Sequence, residues 1–268
     1  DIAWGEVPAG PFVMGSRDDR LAFSGKETPQ RELDLPGFRI GVYPVTNAQY
    51  AAFVRDGGYT QKWRACWTRA GWDWKGDRSG PEAYGGVFDL PNHPVVVVTW
   101  YEAAAFCGWL TERLRAAGEL GPDEAVTLPS EPQWEKAARG TDGRVYPWGD
   151  EPDPERANYD DTGVGATSAV GCFPGGASPY GALDMSGNVW EWCRTKWQES
   201  YQDYGGDDLM GPANDLEGDA LRVLRGGAFG NSQWNVRCAC RIWFFPFDWN
   251  WDFGFRLCVA PGFFNSGL

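Results

Sequence analysis

The chain has almost no histidine. His93 is the only one among 268 residues, so sites built from two or three imidazoles are not available to it. Basic charge is also scarce, with 24 Lys and Arg against 37 Asp and Glu and a formal net charge of −13. No run of Lys and Arg interrupts that balance. Unaided binding to a nucleic-acid backbone, which requires such runs, is not expected. No apolar stretch approaches the ~18 residues of a membrane span. The opening residues, DIAWGEVPAG, lack a basic region followed by an apolar one. No signal peptide is therefore expected in this numbering, and the bacterial or phage cytoplasm is favoured over the cell surface. The seven cysteines contain no Cys-x-x-Cys, and the closest pair is Cys238 and Cys240. A dense disulfide framework is not expected in a chain of this length, and buried thiols acting as small hydrophobes are.

What the chain does have is 36 Gly, 19 Pro and 16 Trp. That composition predicts short elements joined by ordered, irregular loops, all within one domain spanning 1–268. Three capping boxes mark helices: Thr46 with Gln49, Thr99 with Glu102, and Ser130 with Gln133. In the second helix Ala103, Phe106, Cys107, Leu110 and Leu114 form an apolar stripe at helical spacing, and Gly118 and Gly140 stop the second and third helices. Strands are predicted at 12–14, 38–42, 95–98, 221–224 and 254–259. The stretches 60–90 and 146–180 show neither period and read as packed loops. His93, beside a proline and ahead of a valine run, reads as a structural residue.

The segment from Ile242 to Phe253, IWFFPFDWNWDF, holds seven Trp and Phe in twelve residues. Rings this dense are hard to interdigitate in a core, whereas a displayed aromatic patch makes a contact surface. Trp and Phe offer large area with few torsions to freeze, and Trp is enriched at binding hot spots. The opposing reading is a buried strand on which Trp249, Trp251, Phe253, Phe255 and Leu257 share one face. The segment is expected to split, with Phe255 and Leu257 in the core and the earlier rings displayed. Further upstream, Asp184, Asn188 and Glu191 place oxygen ligands in a Gly-containing turn, the chemistry that hard cations prefer.

In order, GPFVMGS, YPVTNAQYAAFV, HPVVVVTWYEAAAFCGWL, LPSEPQWEKAARG, YPWGD, SPYGALDMSGNVWEWC, RVLRGGAF and GFRL resemble the formylglycine-generating enzyme (sulfatase-modifying factor) superfamily. The resemblance runs from about residue 10 to 259. It implies an α+β chain with the C-type lectin fold as elaborated in those enzymes. Formylglycine-generating enzymes hold copper with two thiolates spaced Cys-x-x-x-x-Cys after the Gly-Gly turn, and soft thiolates suit Cu(I). The matching stretch here, GGAFGNSQWNVR, has no cysteine. Sulfoxide synthases on this fold use histidine-bound iron, and one histidine cannot supply it.

The framework is most similar to the variable proteins of diversity-generating retroelements: RVLRGGAF, a polar run, VRCACR, a variable stretch around a proline, then GFRL. That resemblance implies a non-enzymatic ligand-binding protein without copper, with a variable region at about 229–253. Its ligand-contacting positions would be Gly230, Asn231, Ser232, Trp234, Ile242, Trp243, Phe244, Phe245, Phe247, Asp248, Trp249, Asn250, Trp251 and Asp252. The implied partner is an unidentified ligand, with protein the expected class, and the chain is expected to be a monomer. The competing reading is a copper-dependent oxidase acting on a sulfatase cysteine. The family resemblance also implies structural calcium, held by Asp184, Glu191 and the carbonyls of Gly187 and Val189, with a second site at Asn158 and Asp161.

Overall fold

Each of the three capping boxes starts a helix where the sequence places it. Thr46 caps α1 (Asn47–Arg55), Thr99 caps α3 (Trp100–Ala117) and Ser130 caps α4 (Glu131–Arg139), each with its reciprocal side-chain bond. The hydroxyl of each cap satisfies an amide that the first helical turn leaves without a partner. Gly118 ends α3 in the left-handed region at φ 74°. The computed structural model describes residues 1–17, 26–202 and 214–261.

Among the described residues ten short strands form three sheets. β1 (Trp4–Val7), β4 (Phe38–Gly41), β10 (Cys258–Pro261) and β5 (Glu124–Thr127) make a four-stranded sheet in the order β1-β4-β10-β5. β2 (Gly10–Met14) pairs with β3 (Arg31–Leu35). The third sheet runs β8-β7-β6-β9, built from β6 (Trp190–Lys196), β7 (Arg222–Arg225), β8 (Arg241–Phe244) and β9 (Phe253–Gly254). β6 lies antiparallel to β7 and parallel to β9. β1 and β10 thus flank β4 in the first sheet, and the aromatic segment spans the two outer strands of the third.

Two strand expectations and one loop expectation change, the first being 254–259, which divides between β9 and β10 with residues 255–257 in neither. Residues 95–98 form no strand, because Val97 takes a φ of 60°, a conformation that a β-branched residue rarely adopts. The stretch 60–90 is not loop throughout. It holds a 3₁₀ segment at Gln61–Cys66, α2 at Arg69–Lys75, and a 3₁₀ turn at Gly86–Asp89. Their signal is faint because α2 has only seven residues, too few to show a period.

Two large apolar clusters form the core. One gathers Phe53, Trp67, Trp100, Phe106, Trp192, Phe253, Phe255 and Leu257 around α1 and α3. The other gathers Phe12, Ile40, Trp134, Val223, Cys238 and Cys258 around α4. Phe255 is fully buried and Leu257 is 1% exposed, each stabilising the fold by about 1.5–3 kcal/mol through burial. Gly254 is required beside them. A Cβ there would lie 2.7 Å from the Val95 carbonyl oxygen.

Between the clusters runs a chain of buried ion pairs. Arg241 meets Glu131 through Nε at 2.6 Å and Nη2 at 2.8 Å. Arg225 bridges Glu131, at 3.0 Å, and Glu135, and Arg139 meets Glu135 at 2.6 Å. Arg237 closes on Glu27 with both terminal nitrogens. Arg225 and Arg241 thus fasten the RVLRGG and VRCACR segments to α4, and Arg237 ties the second of them to Glu27.

Candidate functional site

The aromatic segment divides ring by ring. Phe253 is buried in the main cluster, and Phe244, 39% exposed, leans on it at 4.8 Å between centroids. Trp243 is half-buried, stacked on Trp197 at 4.4 Å with Lys26 Nζ 3.5 Å above its ring. Ile242 packs against the main core. These last two are framework positions, a correction to their expected display. β8 turns alternate side chains inward and outward, and Trp243 finds a partner across the sheet edge. Phe245 and Phe247 stack on each other at 5.1 Å and remain exposed, as do Trp249 and Trp234.

Trp251 occupies the centre of a larger arrangement. Its ring packs against Phe229 at 5.4 Å, Tyr84 at 5.9 Å and Phe88 at 6.2 Å. Phe88 and Phe229 are buried and back it from below, together with Val96, Val97 and Val189. Trp251 itself is 41% exposed and Tyr84 is 55% exposed. The result is a supported aromatic face rather than a set of loose rings. The strained Val97 lies beneath it and donates its amide to the Asn250 carbonyl at 3.1 Å. Strain of this kind persists only where the surroundings over-determine it, and it concentrates at functional sites. Tyr84, Phe88 and Val97 were not legible as site residues, since they lie far from Trp251 in sequence and only folding joins them.

Several polar positions expected at the ligand surface also hold the turns. Asn231 Oδ1 accepts the Ala228 amide at 2.9 Å, Asp248 Oδ2 accepts the Phe245 amide at 3.0 Å, and Asn250 Oδ1 accepts the Trp251 amide at 2.9 Å. Ser232 donates to Asn235, and Gly230 is exposed with open space around it. Asp252 differs. Its Oδ1 is buried with no hydrogen-bond partner, and desolvation pushes its carboxyl up to about 6. A buried acceptor left unpaired is costly, and here it stands one residue from the exposed ring of Trp251.

The cation ligands fall into two groups. Glu191 is fully buried, and Arg256 grips both of its oxygens while Trp134 Nε1 donates to Oε2 at 2.6 Å. It is a framework carboxylate and does not fit a calcium ligand, which corrects that assignment. Asp184, at φ 55°, accepts the Gly171 amide at 2.7 Å, and burial pushes it up to about 6. The Gly187 carbonyl accepts the Val189 amide at 2.9 Å. Asn158 fits a cation better. Its amide nitrogen donates to Ala166 O and Ser168 Oγ, which fixes its orientation, and its buried Oδ1 has no donor. Gly187 must be glycine at this point, because a Cβ would come within 2.1 Å of the Asn158 carbonyl oxygen. Asp161 is exposed on a 3₁₀ turn. His93 shares a hydrogen bond with Thr167 at 3.0 Å, in keeping with a structural role.

Thiolate copper does not fit the residues present. Cys238 packs into the cluster around α4 and Cys240 into the cluster around α3, so the pair diverges instead of sharing a face. Burial pushes each thiol up to about 12. Among the described residues no three of His, Cys, Asp or Glu converge as a metal cluster would require.

The short strands, few helices and long ordered loops define an elaborated C-type lectin fold that displays its C-terminal loops from a rigid frame. The chain belongs to the sulfatase-modifying factor enzyme 1-like domain family, whose profile matches residues 6–261. It is 35% identical over 262 residues to a hercynine oxygenase of Mycolicibacterium thermoresistibile, covering 88% of this chain and 54% of that protein. It is 32% identical to a formylglycine-generating enzyme of Thermomonospora curvata, covering 83% of this chain and 81% of that one. The chain thus spans about half the length of the hercynine oxygenase it matches. In structure it is similar to Treponema denticola variable protein 1, with a TM-score of 0.69 and 24% identity over 97% of this chain and 95% of that one. That likeness shows the shared fold alone. The expectation of a non-enzymatic protein is overturned by these two relatives, one named an oxygenase and the other a formylglycine-generating enzyme.

Proposed function

We propose that this chain is an oxidising enzyme domain that receives a thiol-bearing peptide segment across the aromatic face centred on Trp251. The observation that carries this reading is the juxtaposition of a supported, half-exposed Trp251 with the unpartnered Oδ1 of Asp252. A rigid apolar surface holds a substrate at low entropic cost. A carboxylate raised to about 6 is better matched to proton transfer near neutral pH than an ordinary one. The identities to a hercynine oxygenase and a formylglycine-generating enzyme support oxidation as the reaction class. The chain's own residues bind the segment, orient it and take its proton. No step runs through Cys238 or Cys240.

The test is aldehyde formation from a sulfatase-type cysteine peptide under oxygen by the protein as purified, without added copper, since thiolate copper does not fit the residues present. Product is expected from the wild type and from Cys238→Ser, and a loss of at least about tenfold, some 1.4 kcal/mol of transition-state stabilisation, from Trp251→Ser. Wild-type protein that yields no aldehyde above the protein-free control would overturn the reading.

Structural calcium is proposed at Asn158 rather than at Glu191. The orphaned Asn158 Oδ1 supports it, since hard cations take side-chain and backbone carbonyl oxygens.

A further inference from the structure

The stretch from Thr60 to Ser79 inverts the charge balance of the chain. It carries Lys62, Arg64, Arg69, Lys75 and Arg78 against only Asp73 and Asp77, within a protein of net charge −13. The cations are spaced singly, so they form no run. The fold collects them around Trp72 and Trp74. Arg64 lies 5.1 Å and Lys75 4.7 Å from the Trp72 centroid, and Arg78 lies 4.5 Å from that of Trp74. Lys62 pairs with Asp56. Among the described residues none of Arg64, Arg69, Lys75 or Arg78 has a carboxylate at ion-pair distance.

Lys75 is the informative member. It is 5% exposed, and its ammonium donates to the carbonyls of Gly76 at 2.8 Å and Arg78 at 3.1 Å. These two acceptors are neutral carbonyls and its other neighbour is the Trp72 ring, so this partly buried ammonium has no carboxylate at ion-pair distance. The same side chain lines a cleft of about 380 Å³, shared with Tyr59, Thr60, Gln61, Trp72, Arg78 and one acid, Asp77. That volume lies within the range of small-molecule sites.

We propose that this cleft binds a small organic anion, with its carboxylate or phosphate group seated on Lys75 and Arg78 and its body against Trp72. The partly buried ammonium supplies the fixed charge, and Arg78, exposed at the rim with Nη1 bonded to the Trp74 carbonyl at 2.9 Å, adds its remaining N–H donors, which suit either oxyanion. Thr60 and Gln61 offer further polar contacts, and Lys62 stays outside because Asp56 already neutralises it. The proposal is independent of the reading of the Trp251 face.

Isothermal titration of the chain at low salt tests it, with phenyl phosphate and benzoate as separate arms and inorganic phosphate as a third. Saturable 1:1 binding of phenyl phosphate or benzoate is expected, weakened by added salt and at least about tenfold weaker in Arg78→Gln. Lys75→Met should lose it as well. Should that variant fail to fold, exposed Arg78 carries the test alone. Lys62→Gln should bind as the wild type does. The arm that binds more tightly identifies phosphate or carboxylate as the recognised group. The absence of saturable heat in all three arms at millimolar anion would overturn the proposal. So would equal affinity in the wild type and Arg78→Gln, or binding of inorganic phosphate alone.

Discussion

Arg256 closes on Glu191 as a two-pronged pair, with Nε 2.6 Å from Oε2 and Nη2 2.7 Å from Oε1, both side chains fully buried. The remaining guanidinium bonds reach the Gly41 and Leu183 carbonyls. One pair thus joins the third sheet, the first sheet and the turn before β6. Removing one partner strands a charge in the interior, which typically costs ~3–5 kcal/mol. Glu191→Gln and Arg256→Met are each expected to lower the unfolding free energy by that order. A change of less than about 1 kcal/mol in urea melts would show that the pair does not hold the sheets together.

Calcium is expected to act at Asn158. A ligand that binds only the folded state raises stability by mass action. Chelator should therefore lower the melting temperature of the wild type, and Asn158→Ala should remove the difference between melts with and without chelator. Superimposable wild-type melts after verified metal removal would refute the site.

The displayed rings and the framework rings should separate on mutation. Phe245→Ser, Phe247→Ser and Trp249→Ser are expected to stay within about 0.5 kcal/mol of the wild type, as exposed positions do. Phe253→Ser and Phe255→Ser should cost ~3–5 kcal/mol, since they leave cavities in the main cluster. Trp243→Ser should fall between, because it loses the Trp197 stack and the Lys26 contact. Severe unfolding by the three exposed replacements, read by circular dichroism, would place those rings in the core.

Asp252 makes a pH prediction whose sign follows from proton linkage. Desolvation raises its carboxyl from 3.8 to about 6 in the folded chain. Between those values the folded state keeps a proton that the unfolded chain has released, so stability declines as pH rises across the window. The contribution is complete below the lower value and gone above the upper one, on the order of 1–3 kcal/mol. Asp252→Asn should flatten this part of the stability profile and leave the variant more stable than the wild type at pH 7. Asp184 titrates in the same window, so the wild-type-minus-variant difference is the quantity to measure. A difference that is constant from pH 4 to pH 7 would be inconsistent with a desolvated Asp252.

Local chemistry let much of the fold be read directly. Thr46, Thr99 and Ser130 start their helices because a capping box is a bond between residues three apart, and the framework motifs announce the family because they are contiguous. Phe255 and Leu257 were legible as core from their place in GFRL. The division between enzyme and binding protein was not legible there. The tertiary structure decided the rest. Glu191 reads as an oxygen ligand until Arg256 takes both its oxygens, and Trp243 reads as displayed until Trp197 covers it. Cys238 and Cys240 sit two apart in sequence yet enter different cores. Trp251 becomes a supported face only when Tyr84, Phe88 and Phe229 arrive from distant loops, and Lys75 becomes a buried cation only when α2 closes on its cleft. Sequence determines which short-range bonds can form, whereas charge pairing and ring packing between remote segments depend on which surfaces the folded backbone brings within a few ångströms.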